Sequence, residues 1–520
     1  RYMNASGLLV YTGRPIWKLV STSRCRTQAS CANSADEVVT SYTYNDNLLP
    51  ITETVRAGDY SLGPITVTKT YDAAGNVIAV DGPMPGAADT TRYVYNSYRE
   101  LVATMGPDPD GAGPAGVPVT RTTYNADGWP ILVEQGTAVD QSDLALASMT
   151  VNGRTSTEYD VSGRKTRVAV GPANAPLMVT QYSYTLAGEL ECTAIRMNPA
   201  VFGALPTSAC LQGTEGSQGP DRIARNVYDL AGQLTQVQQG VGTTLQQNYA
   251  SYTYTPNGQR ATVTDANGNR ASMTYDGLDR QIAWNFPSPT TPGTVSTTDY
   301  EGYGHDANGN ITALRKRDGR TITYTYDALN RMTSKIIPDG SGLPASATRD
   351  VYYGYDLQGL QLYARFDGHT GEGVTNVYDG LGRVTASTTN MGGFSRALTY
   401  SYNSAGARVQ MTWPDGQQFR LYRDGLQRID YTDLNGTTPV YRAQYDSAGR
   451  LSSLDRRVGG AWGGSSTFGY DGASRITVLT HNPAATGYDV STAFVYNPAS
   501  QIVSRDADST VYDFTGHVIV

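Results

Sequence analysis

The chain of 520 residues carries a net charge of −7, so we do not expect it to bind nucleic acid. Its 37 tyrosines against 8 phenylalanines argue against a large dry core, because tyrosine suits a sheet surface on which the hydroxyl reaches a partner. The 56 glycines and 25 prolines predict many turns, and no stretch approaches about 18 apolar residues, which excludes a predicted transmembrane helix.

The first 41 residues precede a regular pattern. We expect residues 1–41 to form an N-terminal β segment or a preceding cap, and residues 42–520 to form a repeat domain. The chain opens at Arg1 rather than at methionine, so we expect it to be a segment of a longer protein. Only Gln141 to Met149 is predicted as a short helix.

Tyrosine followed by aspartate, then by glycine three residues later and often by arginine, recurs at intervals of about 20 to 30 residues, which is typical of a repeat architecture. The predicted wall and turn residues of the clearest copies are Tyr71, Asp72, Gly75, Tyr159, Asp160, Gly163, Arg164, Tyr228, Asp229, Gly232, Tyr275, Asp276, Arg280, Tyr326, Asp327, Arg331, Tyr378, Asp379, Gly382, Arg383, Tyr445, Asp446, Gly449, Arg450, Tyr470, Asp471 and Arg475. Near or looser copies begin at Tyr95, Tyr124, Tyr184, Tyr254, Tyr355, Tyr402, Tyr496 and Tyr512.

Each unit is predicted to be two strands joined by a turn. Before the aspartate, tyrosine often recurs at every second position, as in Tyr324 and Tyr326, which places both rings on one face of a strand. The aspartate side chain can accept bonds from the turn amides, and the later glycine favours a positive φ. Where that glycine is lost, Asp279, Asn330 and Ser474 replace it. Asparagine and aspartate tolerate positive φ, whereas serine at 474 fits this position less well.

The return turns between units are predicted to be two-residue hairpins. They occur at Asn267-Gly268, Asp318-Gly319, Asp415-Gly416 and Asn435-Gly436. About 17 units then give some 34 antiparallel strands, which would stretch roughly 160 Å as a flat sheet. Because open twisted sheets rarely exceed about ten strands, the predicted fold is all-β, with tandem hairpins in one continuous antiparallel sheet that coils into a spiral hollow shell or a wide barrel.

The four cysteines fall into two local pairs, Cys25 with Cys31 and Cys192 with Cys210. In an extracellular protein they would form two disulfides, and the second would close a loop of about 19 residues, worth roughly 3 kcal/mol. Four unpaired thiols in a cytosolic protein are the alternative. Zinc is not expected, because neither a Cys-x-x-Cys motif nor a histidine pair accompanies them.

No motif for catalysis, a cofactor or a metal emerges. The four histidines, His305, His369, His481 and His517, are interpreted as repeat or loop residues, and the basic run that starts at Arg315 as a solvated strand. Two acidic loops, which begin at Asp265 and Asp306, mimic the start of a calcium loop but lack its bidentate glutamate. We therefore expect no enzyme activity, no cofactor and no metal.

From Tyr42 to His517 these tyrosine–aspartate units resemble the RHS/YD-repeat family, which includes bacterial RHS proteins, toxin-complex shell subunits and teneurins. The resemblance implies a spiralling β-sheet shell whose wall contains the tyrosine, aspartate, glycine and arginine positions given above. His305 replaces the tyrosine of one unit, and Tyr422 is followed by Arg423 rather than aspartate, so those turns should have an altered lining. The family's terminal Asp-Pro-rich signature is not found in this sequence.

The functional hypothesis is a non-catalytic shell segment that encloses a C-terminal polymorphic toxin in the full-length bacterial protein, secreted or at the cell surface. Its partners would be the enclosed toxin domain or other shell chains. The alternative is a secreted or surface scaffold that contacts glycans or assembles into fibres through its edge strands. A polysaccharide-active enzyme is a third hypothesis, which needs a cleft with convergent carboxylates.

Overall fold

A computed structural model describes residues 2–3, 9–10, 17–111, 113, 115–172, 175–340, 342, 344–458, 460–483, 489–506 and 508–510. The predicted copy at Tyr512 and the histidine His517 lie outside these described residues. In the described ranges, no helical segment has the length and hydropathy of a membrane span.

Short strands make up most of the described chain. The first half contains β1 (Tyr2–Met3), β2 (Leu9–Val10), β3 (Ser21–Cys25), β4 (Glu37–Tyr44), β5 (Pro50–Ala57), β6 (Ile65–Tyr71), β7 (Val77–Asp81), β8 (Thr91–Tyr95), β9 (Leu101–Met105), β10 (Val117–Tyr124), β11 (Pro130–Ala138), the helix α1 (Asp143–Ala147), β12 (Thr150–Tyr159), β13 (Lys165–Gly171), β14 (Met178–Tyr184), β15 (Leu190–Arg196), a 3-10 turn (Pro199–Val201), β16 (Arg222–Tyr228), β17 (Leu234–Gln239) and β18 (Gln247–Tyr254).

The second half continues in the same way. It contains β19 (Arg260–Asp265), β20 (Arg270–Tyr275), β21 (Gln281–Pro287), β22 (Val295–His305), β23 (Ile311–Arg315), β24 (Thr321–Tyr326), β25 (Met332–Ile336), a 3-10 turn (Ala345–Ala347), β26 (Val351–Tyr355), β27 (Gln361–Phe366), β28 (Gly373–Tyr378), β29 (Val384–Met391), β30 (Phe394–Tyr402), β31 (Arg408–Thr412), β32 (Gln418–Arg423), β33 (Ile429–Leu434), β34 (Thr438–Tyr445), β35 (Leu451–Val458), β36 (Ala461–Tyr470), β37 (Ile476–Pro483), β38 (Val490–Tyr496), β39 (Ile502–Arg505) and β40 (Asp508–Ser509).

From β3 to β40, each strand pairs antiparallel with the next strand along the chain, so the sheet is one long meander. This confirms the predicted all-β class and the continuous antiparallel sheet. β4 crosses the predicted boundary between residues 41 and 42, and β3 pairs with it. The predicted helix is also present as α1, which is capped by the Ser142 hydroxyl accepting from the Ala145 amide.

Most strands expose side chains on both faces. In β24, exposed and half-buried residues alternate from Thr321 to Tyr326, and neither face is fully covered. The accessible surface of the protein is 28672 Å², whereas a compact protein of this mass exposes roughly 18,000 Å². The sheet is therefore a thin wall rather than one layer of a dry sandwich.

Fully buried apolar residues are concentrated where a loop or α1 covers the sheet. One cluster beneath α1 contains Met105, Val117, Val119, Ala138, Ala145 and Met149. Two more involve the long loop between β15 and β16, with Cys192, Ala194, Ala209, Ile223 and Val241 in one and Ala169, Val179 and Phe202 in the other. The dry core is thus local, and it lies under insertions between the repeats.

The meander winds back on itself. The Leu357 amide donates to the Arg26 carbonyl at 2.7 Å. The Ser404 hydroxyl lies 3.5 Å from the Met84 sulfur, at a sequence separation of 320 residues. Ser500 and Met178 make a similar contact at 3.2 Å and a separation of 322 residues. A later circuit of the sheet therefore lies against the earlier circuit about 320 residues before it; we call this boundary the seam.

The predicted two-residue geometry of the return turns was wrong in three of the four places. At Asn267-Gly268, the Gly268 amide donates to the Asp265 carbonyl and the Asp265 amide to that of Asn269, so the turn is longer. Gly268 has a φ of +81° and Asn267 is not among the described positive-φ residues, whereas a two-residue type I′ turn needs both. Equivalent backbone bonds close the turns at Gly319 and Gly416.

Asn435-Gly436 does form the predicted type of turn, with φ values of +56° and +74°. An aspartate two residues before the pair does not decide between the two geometries, since Asp433 also accepts from the Gly436 amide, at 2.7 Å. Aspartate at position 265 captures the turn amides in the same way as the aspartate of the main repeat, with its Oδ1 accepting from the Asn267 and Asn269 amides at 2.9 and 2.8 Å. The acidic loop therefore caps its own backbone, and this explains its likeness to a calcium loop.

Candidate functional site: the tyrosine–aspartate turns of the wall

The aspartate carboxylate closes the turn of each clear copy, and it uses both oxygens where asparagine or arginine stands four residues later. Asp160 Oδ1 accepts from the Ser162 amide at 2.9 Å and from the Arg164 amide at 3.0 Å, while Oδ2 accepts from Arg164 Nε at 2.7 Å. The Gly163 amide donates back to the Asp160 carbonyl at 3.0 Å. Equivalent backbone bonds close the turns at Asp72, Asp229, Asp276, Asp327, Asp379, Asp446 and Asp471.

The fourth position of the turn is left-handed. Gly163 has a φ of +77°, and Gly75, Gly232, Gly382 and Gly449 share this conformation. Asp279 and Asn330 have φ values of +58° and +61°, as the sequence predicted, and Ser474 adopts the same conformation at +63° although serine fits it less well. Four more replacements were not predicted, because their residue types do not signal positive φ; they are Leu48, Arg99, Gln427 and Ser500.

The repeat tyrosine bonds the preceding unit. Tyr184 Oη donates to the Lys165 carbonyl at 2.8 Å, and the ladder between β13 and β14 begins only at Arg167, so the hydroxyl takes a carbonyl that the ladder does not use. The same bond reaches one unit back from the tyrosines of the other clear copies: Tyr71 to Pro50, Tyr159 to Pro130, Tyr228 to Leu190, Tyr275 to Arg260, Tyr326 to Ile311, Tyr378 to Gln361, Tyr445 to Ile429 and Tyr470 to Leu451.

The repeat arginine bonds the following unit. Arg331 Nε donates to Asp327 Oδ2 at 2.7 Å, its Nη1 donates to the Asp356 carbonyl at 2.6 Å, and its guanidinium lies 4.9 Å from the centre of the Tyr355 ring. A fixed fork of donors over an aromatic face suits this double role. Arg280, Arg383, Arg450 and Arg475 also bridge an aspartate of their own turn to a carbonyl of the next.

Two irregular units keep the same connections with other side chains. His305 Nε2 lies 2.9 Å from the Gln281 carbonyl, where a tyrosine hydroxyl would bond. In the next irregular unit Arg423 takes the tyrosine position, and its Nε donates to the Arg408 carbonyl at 3.1 Å. Tyr422 was predicted to hold this position, but the turn aspartate is Asp424, and the residue directly before it is Arg423.

The electrostatics follow from these bonds. The Arg280 side chain, which bonds Asp276, lowers the pKa of that carboxyl to about 2. Side-chain hydrogen bonds from the residue four positions later also lower the pKa of Asp72, Asp160, Asp265 and Asp306. Burial in the wall raises the pKa of the hydroxyls of Tyr184, Tyr326, Tyr378, Tyr445, Tyr470 and Tyr496. The turns therefore hold charged carboxylates, and the wall holds neutral phenols.

Removing one tyrosine hydroxyl should weaken the wall measurably. Tyr470 Oη donates to the Leu451 carbonyl at 2.8 Å. The Tyr470→Phe substitution should reduce the free energy of unfolding by about 1 kcal/mol, because that carbonyl loses its donor. Denaturant titration measures the change. Tyr98→Phe is the matched control, since the Tyr98 side chain is 84% exposed in its turn, and equal losses in both variants would contradict this role.

Acid should destabilise the protein through the turns. The pKa of Asp276 is lowered from 3.8 to about 2 in the folded protein, so the unfolded chain binds more protons between these values. Stability is therefore fully present above the unfolded pKa and is lost as the pH falls through the folded pKa. We expect the melting temperature to fall over this window. Asp276→Asn should make the fall shallower, and a melting temperature that does not change with pH would contradict the prediction.

The structure joins both predicted cysteine pairs. Cys25 is bonded to Cys31, and Cys192 to Cys210. Glu191 lies close to the second pair. A thiolate metal ligand is not available there, because both sulfur atoms belong to the disulfide.

His369 and His481 each contact a hydroxyl group on a strand of the wall. His369 Nδ1 lies 2.9 Å from Tyr363 Oη. His481 Nδ1 lies 2.8 Å from the hydroxyl of Ser466, which is fully buried and also receives a bond from Arg456. Ser466 and His481 are direct cross-strand partners, so the pair is a feature of the ladder.

The predicted basic run is neutralised within the wall. Arg315 lies over the Tyr300 ring at 3.8 Å, and Lys316 pairs with Glu301. The Arg317 side chain donates from Nε to Asp299 Oδ1 at 2.8 Å. Arg315 ends β23, whereas Lys316 and Arg317 lie in the turn after it, so the run is a strand only at its first residue.

Two sequence comparisons relate this chain to known proteins. The RHS Repeat family model matches residues 305–341, which contain the His305 unit and the Tyr326 turn. The toxin protein Tse5 of Pseudomonas aeruginosa is 27% identical over 206 residues, which cover 35% of this chain and 15% of Tse5.

Similar solved structures also cover most of this chain. The TcdB2-TccC3-TEV structure has 12% identity and a TM-score of 0.44, and the match covers 97% of this chain and 28% of that one. The Tc holotoxin pore of Photorhabdus luminescens has 15% identity and a TM-score of 0.30, with 93% and 27% covered. This chain thus spans less than a third of the length of each of these three relatives.

The unit matched by the family model is repeated on both sides of residues 305–341. The same aspartate turn and tyrosine-to-carbonyl bond recur from the Tyr71 unit to the Tyr470 unit, and the arginine bridge recurs between the Tyr275 and Tyr470 units. The predicted resemblance to RHS/YD-repeat proteins is therefore confirmed.

Proposed function

We propose that this chain is a wall segment of a non-catalytic shell that encloses a toxin polypeptide of the same bacterial protein. The observation that carries the proposal is a thin sheet that winds back on itself. The seam brings Ala57, at the end of β5, to Gly380, between β28 and β29, so one circuit takes in about 23 strands. At about 4.8 Å per strand, such a circuit has a circumference of roughly 110 Å and a diameter of roughly 35 Å.

A circuit of this width supports an internal space. Barrels of 16–18 strands already leave an aqueous channel that side chains do not fill. The small number of buried apolar residues and the large accessible surface fit a wall with solvent on both faces. The relation to a protein described as a toxin agrees with an enclosed toxin as the content.

We also propose that the protein is secreted and that it catalyses no reaction. Two disulfides suit a secreted protein, because thiols stay reduced in the cytosol. We include β3 in the wall, since it already pairs with β4. The glycan-binding alternative gains no support from the repeat tyrosines, because their hydroxyls bond backbone carbonyls of the wall.

The test uses the whole chain with a flexible reporter peptide fused after Val520, and the reporter carries one site for a sequence-specific protease. Enclosure predicts that cleavage is at least about ten-fold slower than in the free reporter, because the protease must await an opening of the shell. Mild denaturant should restore the rate of the free reporter. Equal cleavage rates in the native fusion and the free reporter would overturn the proposal.

A further inference from the structure

In the later circuit of the sheet, the residue that follows the turn aspartate or asparagine contacts the earlier circuit across the seam. At this position, the amides of Leu357 and Gly425 donate across the seam to the carbonyls of Arg26 and Pro109, each at 2.7 Å. Ser404 stands at the same position and contacts Met84. One turn position therefore makes successive contacts with the earlier circuit.

Three units have glycine at this position and leave no room for a side chain. A Cβ added to Gly380 would lie 2.8 Å from the Ala57 Cβ, and one added to Gly472 would lie 2.8 Å from Pro172 Cδ. A Cβ on Gly425 would overlap the Asp108 carbonyl oxygen. At separations below 3.0 Å one side must shift, and in the last case the obstacle is backbone.

The turn itself does not require glycine here. In the earlier circuit, Val161, Leu186 and Leu230 occupy the same position, and their side chains are 101%, 110% and 109% exposed. Gly277 is also at this position, and a Cβ on it would meet nothing within 4 Å. Neither Gly277 nor the three seam glycines has a positive φ that would exclude alanine. The demand for glycine therefore comes from the seam.

We propose that Gly380, Gly425 and Gly472 determine the register of the spiral, by allowing backbone-to-backbone contact between its two circuits. A side chain at these points separates the circuits locally while each hairpin keeps its own turn. The consequence for the enclosed polypeptide rests on the proposed function, because an open seam would expose the interior. The register role itself does not depend on any content.

The experiment compares the triple variant Gly380→Ala, Gly425→Ala and Gly472→Ala with Gly277→Ala. The reporter is the Leu357 amide, which donates across the seam at a residue that is not changed. Its hydrogen exchange should accelerate at least about ten-fold in the triple variant, since the seam opens there. The Gly163 amide, bonded within its own turn in the earlier circuit, should exchange at the wild-type rate. Gly277→Ala should change neither amide.

Single variants keep the proposal testable if the triple variant does not fold. Gly425→Ala should accelerate Leu357 exchange more than Gly380→Ala, because the added methyl meets a backbone carbonyl rather than the Ala57 side chain. Unchanged Leu357 exchange in both, or the same acceleration in Gly277→Ala, would overturn the register role. A wild-type fusion with slow Leu357 exchange and an unprotected reporter peptide would instead overturn only the proposed enclosure.

Discussion

Replacing Arg196 with methionine is expected to reduce the free energy of unfolding by about 3–5 kcal/mol, because the substitution leaves a buried carboxylate without its cation. The Arg196 and Asp221 side chains are only 2% and 6% exposed, and Nη1 lies 2.6 Å from Oδ2. Arg196 also donates to Gln181 Oε1 and to the carbonyls of Leu211 and Ser208. This arginine therefore fixes the long loop between β15 and β16 to the sheet.

Denaturant titration measures the loss, and Arg225→Met is the matched control on neighbouring β16. Arg225 pairs with Glu191 at 2.8 Å, but its side chain is 45% exposed, so its loss should cost about 1 kcal/mol or less. Adding Asp221→Leu to Arg196→Met should recover part of the stability, since no uncompensated charge then remains. A single Arg196→Met variant as stable as the Arg225→Met control would contradict this account.

Removing the Cys192–Cys210 disulfide is expected to have the next largest effect. The bond joins residues 18 apart in sequence, and a loop of that size loses about 3 kcal/mol of stabilisation when it is opened. The double variant Cys192→Ser and Cys210→Ser should show this loss in denaturant titration. Hydrogen exchange should rise first in the loop after β15, because the disulfide closes that segment.

The other disulfide supplies the comparison. Cys25 and Cys31 are 6 residues apart, so the corresponding double variant should lose about 2 kcal/mol, the smaller amount for a shorter loop. A larger loss at Cys25 and Cys31 than at Cys192 and Cys210 would contradict the loop-length argument. With both disulfides reduced, the free energy of unfolding should fall by the sum of the two losses, since the two bonds lie on distant strands, β3 and β15.

The aspartate and glycine of each repeat allowed most turns of the wall to be predicted from the sequence. The aspartate at position 160 and the glycine at 163 act on their own turn, so their residue types are sufficient to place it. The rule for two-residue hairpins was wrong at Asn267-Gly268, where backbone bonds of Asp265 with Gly268 and Asn269 close a longer turn. The tyrosine–aspartate pattern misplaced the irregular unit at Tyr422, where the arginine that replaces the tyrosine carries no repeat signal.

The buried pair of Arg196 and Asp221 could not be predicted. The two residues lie 25 positions apart, on either side of a loop that has no hydrophobic period. Only the folded loop brings them together and removes water from both, and this is what gives them a large energetic effect. The arginine bridges from one turn to the next were suggested only in general terms, as repeated contacts of arginine to carbonyls and rings.

The sequence by itself determined the two-stranded unit, its turn and the antiparallel meander, because period-two strands and aspartate-capped turns are set by residues within about ten positions of one another. Only the tertiary structure decided where the sheet meets itself. The contact of Ser404 with Met84 spans 320 residues, and its position depends on the twist accumulated over all the strands between them. The glycine at position 380 is therefore a seam residue and the one at 277 is not, although both follow a turn aspartate.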